Sequence, residues 1–147
     1  MTTFYIGADH GGVRIKDLLG EALRARGFEV EDLGTHGTEA VDYPEIAVAV
    51  ARKVAAGGGA RGLLVCGTGI GMSMAANKVH GIRAALATDP FMAKMATEHN
   101  DANVLCVGER VIGEGLALEI LDAFLGAEFG GGRHERRVGK IMDAEAG

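Results

Sequence analysis

Short apolar runs alternate along this chain with longer stretches in which apolar residues recur every three or four positions. The first kind reads as buried strand and the second as amphipathic helix. Phe4 to Ala8 is a strand, and a helix follows from about Gly12 to Arg26, with Ile15, Leu18, Leu19, Ala22 and Leu23 on one face. Gly27 stops it, and Phe28 to Leu33 is the second strand. A polar loop leads to Pro44, which suits the first turn of a helix carrying Ile46, Ala47, Val50, Ala51 and Val54. Gly57-Gly58-Gly59 ends that helix. Leu63 to Cys66 is then a strand running into a glycine loop, and a short helix spans Met72 to Lys78. Ile82 to Ala87 is the fourth strand. Asp89-Pro90 caps and opens a helix to about His99. Asn103 to Val107 is the fifth strand, and Ile112, Leu116, Ala117, Ile120, Leu121 and Phe124 give the next helix its inner face. Gly130-Gly131-Gly132 reads as a hinge before a last helix from Arg133 to about Asp143.

Five strands separated by helices predict an α/β fold, a parallel sheet covered on both faces. The expected form is a three-layer αβα sandwich, Rossmann- or flavodoxin-like, with strand order 2-1-3-4-5. In that order the loops after strands one and three meet at the crevice above their C-terminal ends. Those loops are Asp9-His10-Gly11-Gly12 and Cys66 to Gly71, the two polar glycine loops of the chain. Residues 1–147 form one domain, with 130–147 as a C-terminal helical arm, and no repeat is visible.

The chain of 147 residues carries a net charge of −5, which argues against a general nucleic-acid binder. Met1-Thr2-Thr3 opens no signal-like segment, and no apolar run is long enough to span a membrane. Two cysteines without metal-like spacing fit a reducing, cytoplasmic setting, and no cofactor is expected. Cys106, inside Val104-Leu105-Cys106-Val107, reads as a core thiol.

Cys66 is different. It stands where a strand ends and a glycine loop with free amides begins, so its thiolate is favoured and it is a candidate base or nucleophile. The bland alternative is a structural cysteine beside an ordinary strand–helix turn. The loop lacks the third glycine of a dinucleotide fingerprint, where Met72 stands, and lacks the Gly-Lys-Ser/Thr of a Walker loop. Asp9 and His10 reach the same crevice, unless Asp9 only caps the first helix. His99, closing its helix, has its charged form stabilised there and can act as an acid or simply cap. Arg133 and Arg137 lie four apart on one face and can clamp a dianion, although a solvated basic face is the commoner case. Arg110 follows the fifth strand, and Tyr43, extended before Pro44, can line the crevice. Lys78, Met72 and Met74 read as ordinary helix residues. A flavodoxin-like nucleotide or flavin module competes on fold, but leaves Cys66, His99 and the arginine pair unexplained.

Six blocks in order resemble the ribose-5-phosphate isomerase B family, which includes the galactose-6-phosphate isomerase subunits. They are Asp9-His10-Gly11-Gly12, Asp42-Tyr43-Pro44, Cys66-Gly67-Thr68-Gly69-Ile70-Gly71, Ala75-Ala76-Asn77-Lys78, the run from His99-Asn100-Asp101 to Leu105, and Gly131-Gly132-Arg133-His134. The resemblance implies a metal-free aldose–ketose isomerase of sugar phosphates, with sites at a homodimer interface, as a dimer or a dimer of dimers. It implies Cys66 as the base, Thr68 as a proton carrier on the sugar oxygens, and Asp9 and His99 in ring opening. By the same resemblance His10, Arg110, Arg133 and Arg137 hold the phosphate, and Tyr43, Gly67 to Gly71 and Asn100 contact the sugar. One branch of the family replaces the cysteine by a glutamate at the place of Met72; this chain resembles the cysteine branch. Ribose 5-phosphate is the commonest substrate of such proteins, with allose, galactose and tetrulose phosphates as alternatives.

Overall fold

The computed structural model describes residues 2–146. Strands β1 (Thr3–Ala8), β2 (Glu29–Asp32), β3 (Arg61–Cys66), β4 (Ala84–Leu86) and β5 (Val104–Gly108) form one parallel sheet. Helices α1 (Val13–Ala25), α2 (Tyr43–Ala55), α3 (Ile70–Ala76), α4 (Pro90–Glu98) and α5 (Glu114–Gly126) connect and follow them, and α6 (Arg133–Asp143) ends the fold with one 3₁₀ turn. The sheet buries both faces, and its inner strands are accordingly almost continuous apolar runs. Leu63, Val65, Leu105 and Val107 face α1, α4 and α5, where Ile15, Leu19, Ala93, Ile120 and Phe124 complete one core. Leu64, Cys66, Val104 and Cys106 face the other way, onto Val50, Val54, Met72 and Ala76 of α2 and α3.

The strand order is β2-β1-β3-β5-β4 and corrects the expected 2-1-3-4-5 at one end. The reason is burial. All five residues of β5 are buried, whereas β4 is three residues long and only half-buried. A short strand of that kind belongs at an edge. The Asn77 side chain covers this edge, accepting the Ala84 amide at 2.8 Å and donating to the Ala84 carbonyl at 2.9 Å.

Lys16 of α1 is fully buried, and its Nζ meets Asp32 at 2.6 Å and Asp17 at 3.2 Å. Asp32 in turn accepts the Gly34 amide at 2.8 Å. The segment beyond β2 then pairs with the end of β1: the Ala8 amide donates to Gly34 and the Thr35 amide to Ala8, both at 2.7 Å. The buried lysine therefore anchors the backbone that flanks Asp9.

Candidate active site

Register sets which loops meet. Ala8 pairs with Val65, and Cys66 with Gly108, so the loops after β1, β3 and β5 leave the sheet side by side at its C-terminal edge. Approach between them is close: a Cβ on Gly12 would come within 2.5 Å of the Val65 carbonyl, and one on Gly108 within 2.5 Å of the Thr68 backbone. Cys66, only 6% exposed, ends β3, and its Sγ accepts the Gly69 amide at 3.1 Å. Gly69 is the N-cap of α3 with φ of +82°. Thr68 is exposed, and its hydroxyl accepts the Ile70 amide at 3.2 Å.

Asp9 is buried, and its carboxylate accepts the Gly11 amide at 2.9 Å. It does not cap α1. The N-cap is Gly12, and Glu109, after β5, accepts the Ile15 amide at 2.9 Å instead. His10 accepts the Val41 amide at Nδ1, 3.2 Å away, which leaves Nε2 as a donor. Arg110 lies over Gly67, where a Cβ would sit 3.5 Å from its Cδ, and its amide donates to the Gly67 carbonyl. Tyr43 is the first residue of α2; the extended residue is Asp42, a correction to the expected backbone of Tyr43. The Tyr43 ring fills the space beside Gly71, where a Cβ would approach it to 2.5 Å. Asp9, His10, Tyr43, Cys66, the loop from Gly67 to Gly71 and Arg110 thus form one cluster.

The remaining candidates stand elsewhere. α4 begins beyond the C-terminal edge and runs back along the sheet, so His99, its C-cap, lies at the N-terminal edge. Two links mark that edge: the Gly62 amide donates to Asn103, and the Asn103 amide to Arg83. From there to Cys66 is a full strand, about 16 Å at the usual rise per residue. α6 starts at the same far edge. The Gly130 amide donates to Glu98 at 2.9 Å, and the His134 ring stacks on His99 with centroids 4.2 Å apart. Gly130-Gly131-Gly132, expected as a hinge, is therefore tied to the end of α4. Arg133 and Arg137 are exposed, and the His134 pKa is lowered by desolvation first, then by His99, Arg133 and Arg137. Asn100 lines a cavity of about 600 Å³ beside β4, with Lys78, His80, Arg83, Ile141 and Glu145 around it. His99, Asn100, Arg133 and Arg137 form a second cluster, a strand's length from the first.

Three residues carry more structure than their sequence positions signalled. His134 enters only through a motif block, and Glu109 and Lys16 are not singled out in the sequence at all. None has a local sequence signature, since each acts through a partner from another element. Burial pushes the Cys106 thiol up, with the neighbouring Cys66 adding to the effect, in keeping with a core role. Among the described residues no group of three His, Cys, Asp or Glu is placed to hold a metal ion, and no helix is long and apolar enough to cross a membrane.

Comparison with known proteins shows the family and the fold. The sequence profile of a family described as Ribose/Galactose Isomerase matches residues 4–141. Ribose-5-phosphate isomerase B of Escherichia coli is 47% identical over 145 residues, 99% of this chain and 97% of that one. The structure of Clostridium thermocellum ribose-5-phosphate isomerase B is similar at a TM-score of 0.95, with 54% identity over 98% of this chain and 97% of that one. Mycoplasma genitalium ribose-5-phosphate isomerase B, solved with bound ribulose 5-phosphate, gives a TM-score of 0.95 and 42% identity, covering 99% and 97%. With a profile match over nearly its whole length and relatives this similar, the chain belongs to the ribose/galactose isomerase family.

Proposed function

We propose that this protein interconverts ribose 5-phosphate and ribulose 5-phosphate, through ring opening and a cis-enediolate, in sites that two copies of the chain build together. One observation carries the reading. The thiol and the loop amides stand at one edge of the sheet, and the histidine and two exposed arginines at the other. A sugar phosphate needs both sets within its own length. A second copy packed with its edges reversed supplies them, and two-fold symmetry then makes two such sites. Exposed apolar side chains around the first cluster support a covering partner: Ile70, Met74 at 65%, Phe91 at 69% and Val111. The assembly is a homodimer, alone or doubled into a dimer of dimers.

In this reading the furanose opens first. His99 of one copy protonates the ring oxygen, while Asp9 of the other takes the proton from the anomeric hydroxyl. Cys66 thiolate then removes the proton from C2 of the aldehyde. The electron pair forms the C1–C2 double bond, and the carbonyl oxygen takes the negative charge of the enediolate. Loop amides between Gly67 and Gly71 face that oxygen. Thr68 shifts the hydroxyl proton from O2 to O1, and the Cys66 thiol returns its proton to C1. The thiol serves as base here in place of a carboxylate, since Met72, where another branch has glutamate, is fully buried and apolar. His10 and Arg110 from one copy, with Arg133 and Arg137 from the other, hold the phosphate and position the reacting carbons. Both cysteines are free, which supports a reducing, cytoplasmic location.

A panel of ribose, allose, galactose and erythrulose phosphates, assayed for isomerisation by the purified protein, tests the substrate. The expected order has ribose 5-phosphate first by kcat/KM. Turnover of none of them would reject the isomerase reading itself.

A further inference from the structure

The His99–His134 stack joins the end of α4 to the start of α6 in the second cluster. The two imidazole planes lie 13° apart with centroids separated by 4.2 Å. The backbone builds this contact on purpose-made geometry. Gly130 is bonded to Glu98, the residue before His99, and a Cβ there would press within 3.3 Å of both the Glu98 carbonyl and the His134 ring. Gly131 and Gly132 turn with φ of +64° and +55°, a left-handed course that favours glycine, and deliver His134 to the first turn of α6. His99 has no side-chain hydrogen bond among the described residues; its backbone amide donates to Met95 at 2.8 Å. The flat face of His134 is thus what defines the orientation of its ring.

We propose that His134 is a positioning residue that holds the His99 imidazole in the orientation needed for protonating the sugar ring oxygen. The inference rests on the role given to His99 above. A neutral aromatic face under a charged imidazole is a favourable partner, whereas a second charge would repel it. The surroundings keep His134 in that neutral form. Partial burial lowers its pKa, and His99 from α4 with Arg133 and Arg137 from α6 lower it further, against a smaller opposite effect from Glu98.

The test compares His134→Ala, His134→Phe and His99→Asn with the parent protein, using isomerisation of ribose 5-phosphate and solvent-deuterium exchange into C1 of ribulose 5-phosphate. The second substrate has its O5 esterified and cannot close to a furanose, so its exchange passes through the enediolate without opening or closing a ring. His134→Ala is expected to lower kcat on ribose 5-phosphate about tenfold with KM little changed, and to leave the exchange into ribulose 5-phosphate near the parent rate. His134→Phe, which keeps a flat ring, is expected to recover most of that loss. In NMR spectra the His99 ring proton, shielded by the ring beside it, is expected to move downfield in His134→Ala and to stay in His134→Phe. Equal losses on both substrates, a rise in KM alone, or a resonance that does not move would overturn the proposal. The two levels separate through His99→Asn. If that variant loses the two activities equally, the role of His99 fails; if its loss is selective and His134→Ala is normal, only the positioning role fails.

Discussion

The Gly69 amide reaches Sγ of Cys66 at 3.1 Å because Gly69 holds φ at +82°. Side chains other than Asn and Asp are strained there, and the space is closed as well: a Cβ would meet Leu86 at 2.7 Å and the Val107 backbone at 2.9 Å. Gly69→Ala is therefore expected to cost about 1–3 kcal/mol of stability from backbone strain, before any repacking. It is also expected to lower kcat by displacing the donor from the sulfur. Urea denaturation and steady-state rates check both, and unchanged values in each would mean that the loop adapts freely.

Removing the sulfur itself tests the base. Cys66→Ala is expected to lower kcat about 10²–10⁴-fold, the usual loss for a general base, with the fold intact. Of the two thiols only Cys66 should react with iodoacetamide, slowed by substrate. Cys106 is wholly buried and its thiol is pushed up by that burial. Mass spectrometry after limited alkylation reads this directly, and first labelling at Cys106 would contradict it.

Lys16 and Asp32 give a stability prediction with a functional echo. Breaking a buried pair costs about 3–5 kcal/mol when it strands a charge. Asp32 retains 19% side-chain exposure and the Gly34 amide, so Lys16→Met is expected near the lower end of that range. Because the segment after Asp32 is bonded to Ala8, beside Asp9, kcat is expected to fall as well. A variant as stable as the parent would show that the pair contributes nothing net.

Acid should weaken the fold partly through His134. Its folded-state pKa lies below the ordinary value of 6.5, so the unfolded chain takes up that proton first as pH falls. The stability present above 6.5 is then lost on acidification, until pH passes below the folded value. His134→Phe, with no proton to bind, is expected to lose less stability than the parent between pH 7.5 and 5.5. Urea midpoints at the two pH values measure this, and parallel losses would place the acid sensitivity elsewhere.

Much of this was legible in the chain. Short apolar runs and helical spacing locate the five strands and six helices to within a few residues, because the inner strands are buried on both faces and each helix buries one apolar stripe. Sheet order is another matter. Val104-Leu105-Cys106-Val107 and Ala84-Ala85-Leu86 differ in bulk and length, and that difference, not chain order, sends β5 inward and β4 to the edge. The first cluster follows from strand ends, since Asp9, Cys66 and Arg110 each leave the sheet at the same edge. His99 ends a returning helix and cannot share that edge within one chain, a consequence of helix direction that a list of reactive residues does not display. Lys16, Glu109 and His134 stay hidden because their partners come from distant parts of the sequence.

The division of the site between two chains is the central claim, and subunit mixing tests it most directly. Arg137→Ala alone is expected to raise KM strongly, since a charge-assisted hydrogen bond to phosphate contributes about 1.5–3 kcal/mol. Cys66→Ala alone is expected to be nearly inactive. If Cys66 and Arg137 of one site come from different chains, a hybrid of the two variants holds one intact site and one doubly damaged site. Equal mixing with random exchange then restores about a quarter of the parent activity at low substrate, half the dimers being hybrids with half their sites intact. That recovery is the predicted result. No recovery, with hybrid dimers demonstrated by native mass spectrometry, would contradict the shared site.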